Sequence, residues 1–255
     1  VPAPTNIKIS NNDIEKSTGG NGILISGAVN VNISNNTISD INLWSIHVRD
    51  SSYAGDNIPT AKVTIQNNTI EHTTTYDGIS IDISNFSAVS DNNIIVSNNT
   101  ITDIARTGIC INNHQNVKNN EYTISNNSIN NCGGNFINAF SGGGTISGNI
   151  CKISQQDGIY TGSGVQYMTI NSNQVYAYGL SQYNRYHGIL SADGANSVIS
   201  SNKIDSGTNM AHVGISVENA PSTASKITNN TISHATTAIY STSPLNIISN
   251  NHISS

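Results

Sequence analysis

An all-β solenoid, one chain wound into about ten stacked coils, is the architecture that this 255-residue sequence predicts. Three observations predict it. First, an apolar residue, two variable residues, an asparagine, one variable residue and a second apolar residue recur along the chain. The phrase reads Ile9-Ser-Asn-Asn12-Asp-Ile14 near the start and Ile248-Ser-Asn-Asn251-His-Ile253 at the end. Between them the fixed asparagine falls at Asn36, Asn68, Asn99, Asn127, Asn149, Asn173, Asn202 and Asn230. Its spacing varies from 21 to 32 residues, so one structural unit repeats while its loops change length. Second, Gly-Ile-x-apolar follows most of these asparagines by 8 to 15 residues, as in Gly22-Ile-Leu-Ile25, Gly78-Ile-Ser-Ile81, Gly108-Ile-Cys-Ile111 and Gly214-Ile-Ser-Val217. Third, no segment holds apolar residues at three- and four-residue spacing long enough for a helix.

Each unit therefore has three short strands: one before the asparagine, one after it and one at Gly-Ile. Alternation turns every second side chain inward. Pieces of three to five residues bury no core alone, so the core comes from stacking each isoleucine on that of the next coil. The asparagine occupies the sharp turn between the first two strands. Stacked at about 4.8 Å, its amide can bond along the axis and satisfy groups that are costly to bury. The Asn-Asn, Ser-Asn and Gly-Asn steps suit a tight turn, because Asn and Gly tolerate left-handed backbone. Asn-x-Thr/Ser triplets straddling these turns read as by-products of the repeat rather than glycosylation sites. Residues 1–255 form a single domain of about ten coils, on the order of 45 Å long. Both ends lack an amphipathic cap, which predicts a fragment of a longer chain or ends covered by other segments.

Composition narrows the function classes. Only 10% of residues are charged and the net charge is −5, with no run of Lys or Arg, which argues against a nucleic-acid surface. No apolar stretch approaches the roughly 18 residues of a membrane-spanning helix. The periodic isoleucines argue against disorder. Three cysteines, Cys110, Cys132 and Cys151, show no metal-ligand spacing and predict no structural disulfide. Cys151 takes an isoleucine position and reads as a small buried hydrophobe.

These repeats resemble those of right-handed parallel β-helix proteins: the pectate-lyase-like superfamily, alginate epimerases and bacteriophage tailspikes. The resemblance covers nearly the whole chain. It implies a single-stranded right-handed parallel β-helix with a buried Asn ladder and Ile stacks. It also implies a polysaccharide laid along the face of one sheet flanked by long loops. That fold carries lyases, hydrolases, epimerases and inert fibres alike, so the activity has to be argued from the residues.

The Gly-Ile strand is the candidate face, because the most variable spacer precedes it. Its outward residues, coil by coil, are Leu24 and Ser26, His47 and Arg49, Ser80 and Asp82, Cys110 and Asn112, Asn138 and Phe140, Tyr160 and Gly162, Leu190 and Ala192, Ser216 and Glu218, Tyr240 and Thr242. One cluster groups His47, Arg49 and Asp50 with Asp82 and Asn112. Asp50 and Asp82 would supply the two carboxyl groups of a hydrolase, which stand about 5 to 9.5 Å apart. Arg49 and His47 would supply the cation and base of a lyase or epimerase. A plain cross-strand ion pair between Arg49 and Asp82 is the competing reading.

A second cluster lies in the spacer after Asn173: Tyr176, Tyr178, Tyr183, Arg185, Tyr186 and His187, with Asp157 and Tyr160 one coil below and Asn138 below that. Tyrosine rings stack on sugars and their hydroxyls bond sugar oxygens. This loop ranks first as a binding site, against the plainer reading of a loop packing its own aromatics on the rod. The epimerase pattern Tyr-Gly-x-Asp-Pro-His has only a partial echo in Tyr76-Asp-Gly-Ile-Ser-Ile-Asp82. Gly19-Gly-Asn-Gly22 lacks the aspartate of calcium-binding nonapeptides, so no such metal site and no cofactor are expected.

Together these readings predict a protein that binds and cleaves a polysaccharide of capsule, O-antigen or uronate-containing type, by hydrolysis or β-elimination. The resemblance implies a tailspike or a secreted bacterial protein, outside the cell or on a virion, and a homotrimer. The alternatives are a non-catalytic rod or adhesin, and a uronate epimerase.

Overall fold

The computed structural model describes residues 3–51, 58–83, 93–113, 121–140, 142–162, 165–181, 185–192, 196–207, 212–218 and 224–254. Three parallel sheets run the length of a solenoid. Sheet A, of ten strands, starts at Thr5–Ser10 and takes the strand before each ladder asparagine. Sheet B, also of ten, starts at Asp13–Ser17 and takes the strand after it. Sheet C has nine strands, starts at Ile23–Ser26 and takes the Gly-Ile segments. Nine coils thus carry all three strands, and the tenth carries Ile247–Ser249 and His252–Ser254.

The strand registers stack the expected isoleucines. In sheet C, Ile23, Ile46, Ile79, Ile109, Ile137, Ile159, Ile189, Ile215 and Ile239 follow one another. In sheet B, Cys151 sits between Ile129 and Val175 in the same inward column, fully buried. All three cysteines are free and buried, and burial pushes each thiol well above its ordinary pKa. The core is made by the neighbouring coil rather than by the coil itself. Ile199 is 0% exposed, whereas Ile248, at the same height of its strand in the last coil, is 48% exposed.

The turn between sheets A and B repeats one geometry ten times. The residue before each ladder asparagine is left-handed: Asn11, Asn35, Asn67, Asn98, Asn126, Gly148, Ser172, Ser201, Asn229 and Asn250 all have φ between 56° and 65°. The asparagine that follows turns its amide into the rod. Asn36 N–H and Nδ2–H both donate to Asn68 Oδ1 at 3.0 Å, and Nδ2 also donates to the Ile9 carbonyl at 3.1 Å. The pattern continues through Asn68, Asn99, Asn127, Asn149, Asn173, Asn202 and Asn230 to Asn251. Each interior amide thus uses both donors and both lone pairs, and these eight side chains, Asn36 to Asn230, are at most 1% exposed.

A second ladder turns the chain into sheet C, with the sense of donation reversed. The residue two before the stacked isoleucine accepts, through its side-chain oxygen, the N–H of its equivalent in the next coil. Asn21 accepts from Trp44 (3.4 Å), Asp77 from Thr107 (3.0 Å), Asn135 from Asp157 (2.8 Å) and Asp157 from His187 (2.7 Å). A glycine stands between the acceptor and the isoleucine at Gly22, Gly78 and Gly158, where successive coils come close, whereas Phe136 takes that position after Asn135. A Cβ on Gly158 would lie 2.3 Å from the Gly188 carbonyl oxygen.

Replacing Asn127 with Ala should destabilise the rod by about 3 kcal/mol or more, since it strands the donors of Asn99, the Val96 carbonyl and the Asn149 oxygen. The urea midpoint measures this. Ser125→Ala, on the outer face of sheet A two residues away, should shift stability by no more than about 0.5 kcal/mol.

Candidate functional site

The outward columns of sheet C are those that alternation predicts. Leu24, His47, Ser80, Cys110, Asn138, Tyr160, Leu190, Ser216 and Tyr240 pair in succession, and beside them run Ser26, Arg49, Asp82, Asn112 and Phe140. Two clusters of ionisable groups stand on this face.

The lower cluster spans the second to fourth coils. His47 Nε2 lies 2.7 Å from Asp82 Oδ2, Ser80 Oγ donates to the same oxygen at 3.3 Å, and Asn112 Nδ2 donates to Asp82 Oδ1 at 2.7 Å. Cys110 Sγ–H points to Asn112 Oδ1 at 3.3 Å. Burial acts to raise the Asp82 pKa. The bonds from His47 and Asn112, the His47 charge and the Ser80 bond outweigh it and hold the carboxyl below its ordinary value. Trp44 stacks on His47 at 4.5 Å and on Tyr76 at 4.2 Å with an 8° tilt, and the Arg106 guanidinium lies 5.5 Å over Tyr76. Beneath them Asp77 shifts the opposite way. Its burial raises the pKa and prevails over the Thr107 N–H, the Arg106 charge and the Trp44 side chain.

One expectation about this cluster is corrected. Arg49 and Asp82 are register partners, yet they make no ion pair. The Asp82 carboxylate leans instead to His47 in the adjacent column, where burial makes the bond worth more than an exposed pair. The Asp50 carboxyl, expected as the second acid, is engaged at one oxygen within the protein. Its Oδ1 accepts the Thr60 N–H at 2.7 Å and ties down the end of the loop that follows the strand.

The upper cluster spans the sixth to eighth coils. Asp157 Oδ1 accepts both the backbone N–H of His187 (2.7 Å) and its ring Nδ1 (3.0 Å). In the neutral imidazole, the carboxylate at Nδ1 favours the tautomer with its proton there and the lone pair on Nε2. That Nε2 faces Glu218 Oε1 at 3.9 Å, beyond hydrogen-bond reach. Ser216 Oγ donates to the same oxygen at 2.8 Å. His212, almost fully buried, accepts the Tyr186 N–H at Nδ1. Burial lowers its pKa, with the His187 charge adding to the effect against the Gly179 backbone and Asp157.

The tyrosine segment does not form one patch. Tyr178 is fully buried, its hydroxyl donating to the Val213 carbonyl at 3.0 Å, so it belongs to the core rather than to a binding surface. Tyr176 faces outward on sheet B, where its hydroxyl bonds Gln174 and Lys203 covers its ring at 5.6 Å. The chain crosses from one sheet to another within this segment, which separates neighbours in sequence. Tyr186 and Arg185 remain beside sheet C, the guanidinium 5.9 Å over the ring. Tyr160 packs edge-on against Phe140 at 5.4 Å, and Asn138 accepts a bond from Asn135. Tyr183 lies outside the described residues.

Sequence reasoning passed over Trp44, met Tyr76 and Asp77 only within a partial motif, and gave Glu218 a place on the face without a role. A usable signal was present. Asn or Asp precedes Gly-Ile at Asn21, Asp77 and Asp157, marking the second ladder. Since the Asp82 pKa lies below its ordinary 3.8 in the folded protein, its bonds add stability that is complete above that value and lost as pH falls through the lowered pKa. Asp82→Asn should therefore be less stable at neutral pH and show a shallower loss of stability below about pH 4, read from denaturation midpoints across an acid series.

The family model for the right handed beta helix region matches residues 3–123 and 116–255. No curated protein matches the chain in sequence. Among solved structures, the A-module of the Azotobacter vinelandii mannuronan C-5 epimerase AlgE6 is similar, with a TM-score of 0.54 and 14% identity over 99% of this chain and 76% of that one. Full-length tailspike protein 2 of an Escherichia coli O157:H7 bacteriophage is similar as well, with a TM-score of 0.58 and 9% identity over 98% of this chain and 38% of that one. At such identities the likeness is one of fold. With the family model matched from residue 3 to residue 255 and three parallel sheets wound by a single chain, the protein belongs to the right-handed β-helix family.

Proposed function

We propose that the protein binds a polysaccharide along the outer face of sheet C and cleaves it there, with His187 and Glu218 as the acid–base pair. The observation that carries this reading is the 3.9 Å separation between His187 Nε2 and Glu218 Oε1. Two acceptors at that distance cannot bond each other, and a water between them, donating one hydrogen to each, satisfies both. For glycosidic cleavage the pair must hold one proton: the protonated member gives it to the leaving oxygen and the other takes one from water or from a sugar carbon. Asp157 serves as a positioning residue that holds the imidazole and its tautomer.

The lower cluster fits sugar binding better than catalysis, because Asp82 already uses both oxygens within the protein. The stacked rings of Trp44 and Tyr76 stand there with Asn112 as a polar neighbour. Tyr160, Tyr186 and Arg185 flank the upper cluster. The fold likeness to a mannuronan epimerase and a phage tailspike supports a carbohydrate ligand. The tailspike likeness also supports a place outside the cell or on a virion, with a homotrimer as the assembly for light scattering to test. A non-catalytic fibre is the second reading, favoured by the internal bonding of Asp82.

Incubation with capsular and O-antigen polysaccharides should release reducing ends, or unsaturated ends seen by ultraviolet absorbance. His187→Ala and Glu218→Gln should each lower that rate by about 10²- to 10⁴-fold with the circular dichroism unchanged. Full activity in both variants would remove the acid–base assignment. Binding without product from any glycan would leave the fibre.

A further inference from the structure

We infer that His212 is a positioning residue for His187 and an acid-sensitive latch on it: a proton on the His212 ring takes away the acceptor of the Tyr186 N–H and frees the neighbouring His187 from its place. The inference rests on the reading of His187 as half of an acid–base pair and names how that site is regulated. His212 stands just before the strand Val213–Glu218 of sheet C and is 1% exposed. Its Nδ1 accepts the Tyr186 N–H at 3.4 Å. The Val213 N–H donates to the Tyr186 carbonyl at 3.3 Å, and the Tyr178 hydroxyl to the Val213 carbonyl at 3.0 Å. Tyr186 is thus held at both its backbone groups by His212 and Val213, one residue before His187.

Neither ring nitrogen suits the charged imidazolium. Nδ1 already faces an N–H, so a proton there would set two donors against each other. Nε2 is shut from solvent beside the Gly179 backbone, which favours the charge but makes no hydrogen bond of full geometry with it. A Cβ on Gly179 would lie 2.9 Å from Nε2, so the chain passes close over the ring. The rings of Tyr178 and Tyr186 stand beside it, with centroids 5.8 and 6.4 Å away. Of the charged groups around it, His187 opposes a positive ring, whereas Asp157 favours one but is bonded to His187. Asp205 acts on Tyr178, Arg185 lies over Tyr186, and Glu218 on the same strand is bonded to Ser216. Burial outweighs the favourable contacts and holds the His212 pKa below its ordinary 6.5.

The neutral ring therefore makes the contact, with the lone pair on Nδ1 and the proton on Nε2. Once Tyr186 has left it, the ring takes up a proton as an ordinary histidine does. The contact is complete above about pH 6.5 and weakens as pH falls below that value, where each unit favours the open form by up to about tenfold. His187 follows Tyr186, because its backbone N–H and its ring share one oxygen of Asp157. A shift of the chain at residue 186 loosens both bonds and turns Nε2 away from Glu218.

Amide hydrogen exchange at Tyr186 and His187, corrected for the intrinsic effect of pH, reads the latch with no substrate present. Between about pH 7.5 and about pH 5.5 it should speed up about tenfold, while the amide of the core residue Ile204 keeps its protection. Nitrogen-15 shifts of the His212 ring should place its proton on Nε2 at neutral pH. His212→Asn keeps an oxygen near the place of Nδ1 but cannot titrate, so its exchange should lose the pH response. An absent response in the parent, an equal response in His212→Asn, or a proton on Nδ1 of the neutral ring would overturn the inference, and the ring shifts decide even where the variant does not fold. With a polysaccharide that is cleaved, the acid limb of the rate should move to lower pH in His212→Asn, and coinciding profiles would overturn the inference too. If no polysaccharide is cleaved, the acid–base reading falls by itself, and the exchange data still decide whether His212 latches His187.

Discussion

Every coil of this protein hands one amide to the next. The asparagine ladder places both donors and both oxygen lone pairs of each interior ladder amide in bonds of about 3 Å to the neighbouring coils, leaving none of these amides unsatisfied. Because each amide bonds its equivalent one coil away, the ladder holds the coil spacing and the register together. The isoleucine stacks follow from that register. A slip by one residue would turn each strand's apolar set to the solvent and take every asparagine from its partner. The left-handed residue before each asparagine is the local condition for the turn, which is why the step reads Asn-Asn, Gly-Asn or Ser-Asn.

The second ladder links this scaffold to the candidate chemistry. The residue that accepts the backbone N–H of the coil above lies at the entrance to sheet C, at the foot of the outward face. At Asp157 one carboxylate oxygen does both things: it bonds the His187 backbone and it holds the His187 ring. The imidazole is therefore positioned by the same group that turns the chain. Such coupling gives a rigid site, since the ring cannot swing without loosening the corner beneath it.

The two clusters differ in how far their polar groups are already engaged. In the lower one, Asp82 is bonded on both oxygens and the His47 ring is covered by Trp44. In the upper one, His187 is fixed on one side and open on the other, toward Glu218. A group bonded all round contributes to shape and orientation, whereas a fixed group with one open partner can exchange a proton with a ligand. This difference, rather than residue type, separates the binding role proposed below from the reacting role proposed above.

The sequence by itself determined the repeat, the three strands of each coil, the inward isoleucines and the outward pairs of sheet C, because each is a local pattern copied along the chain. It also identified His47, Asp82, Asp157 and His187 as neighbours in pairs, since stacking turns equal positions in successive coils into contacts. Only the tertiary structure decided which atoms meet. Asp82 takes the diagonal His47 over its register partner Arg49, because a buried bond outweighs an exposed ion pair. Tyr176, Tyr178 and Tyr186 are close in sequence but lie on sheet B, in the core and beside sheet C. The irregular spacer has no copy elsewhere in the chain from which its path could be read. Where side chains from unequal positions pack against one another, as Trp44 does on Tyr76 and His47, the period of the repeat carries no information and three-dimensional packing alone sets the contact.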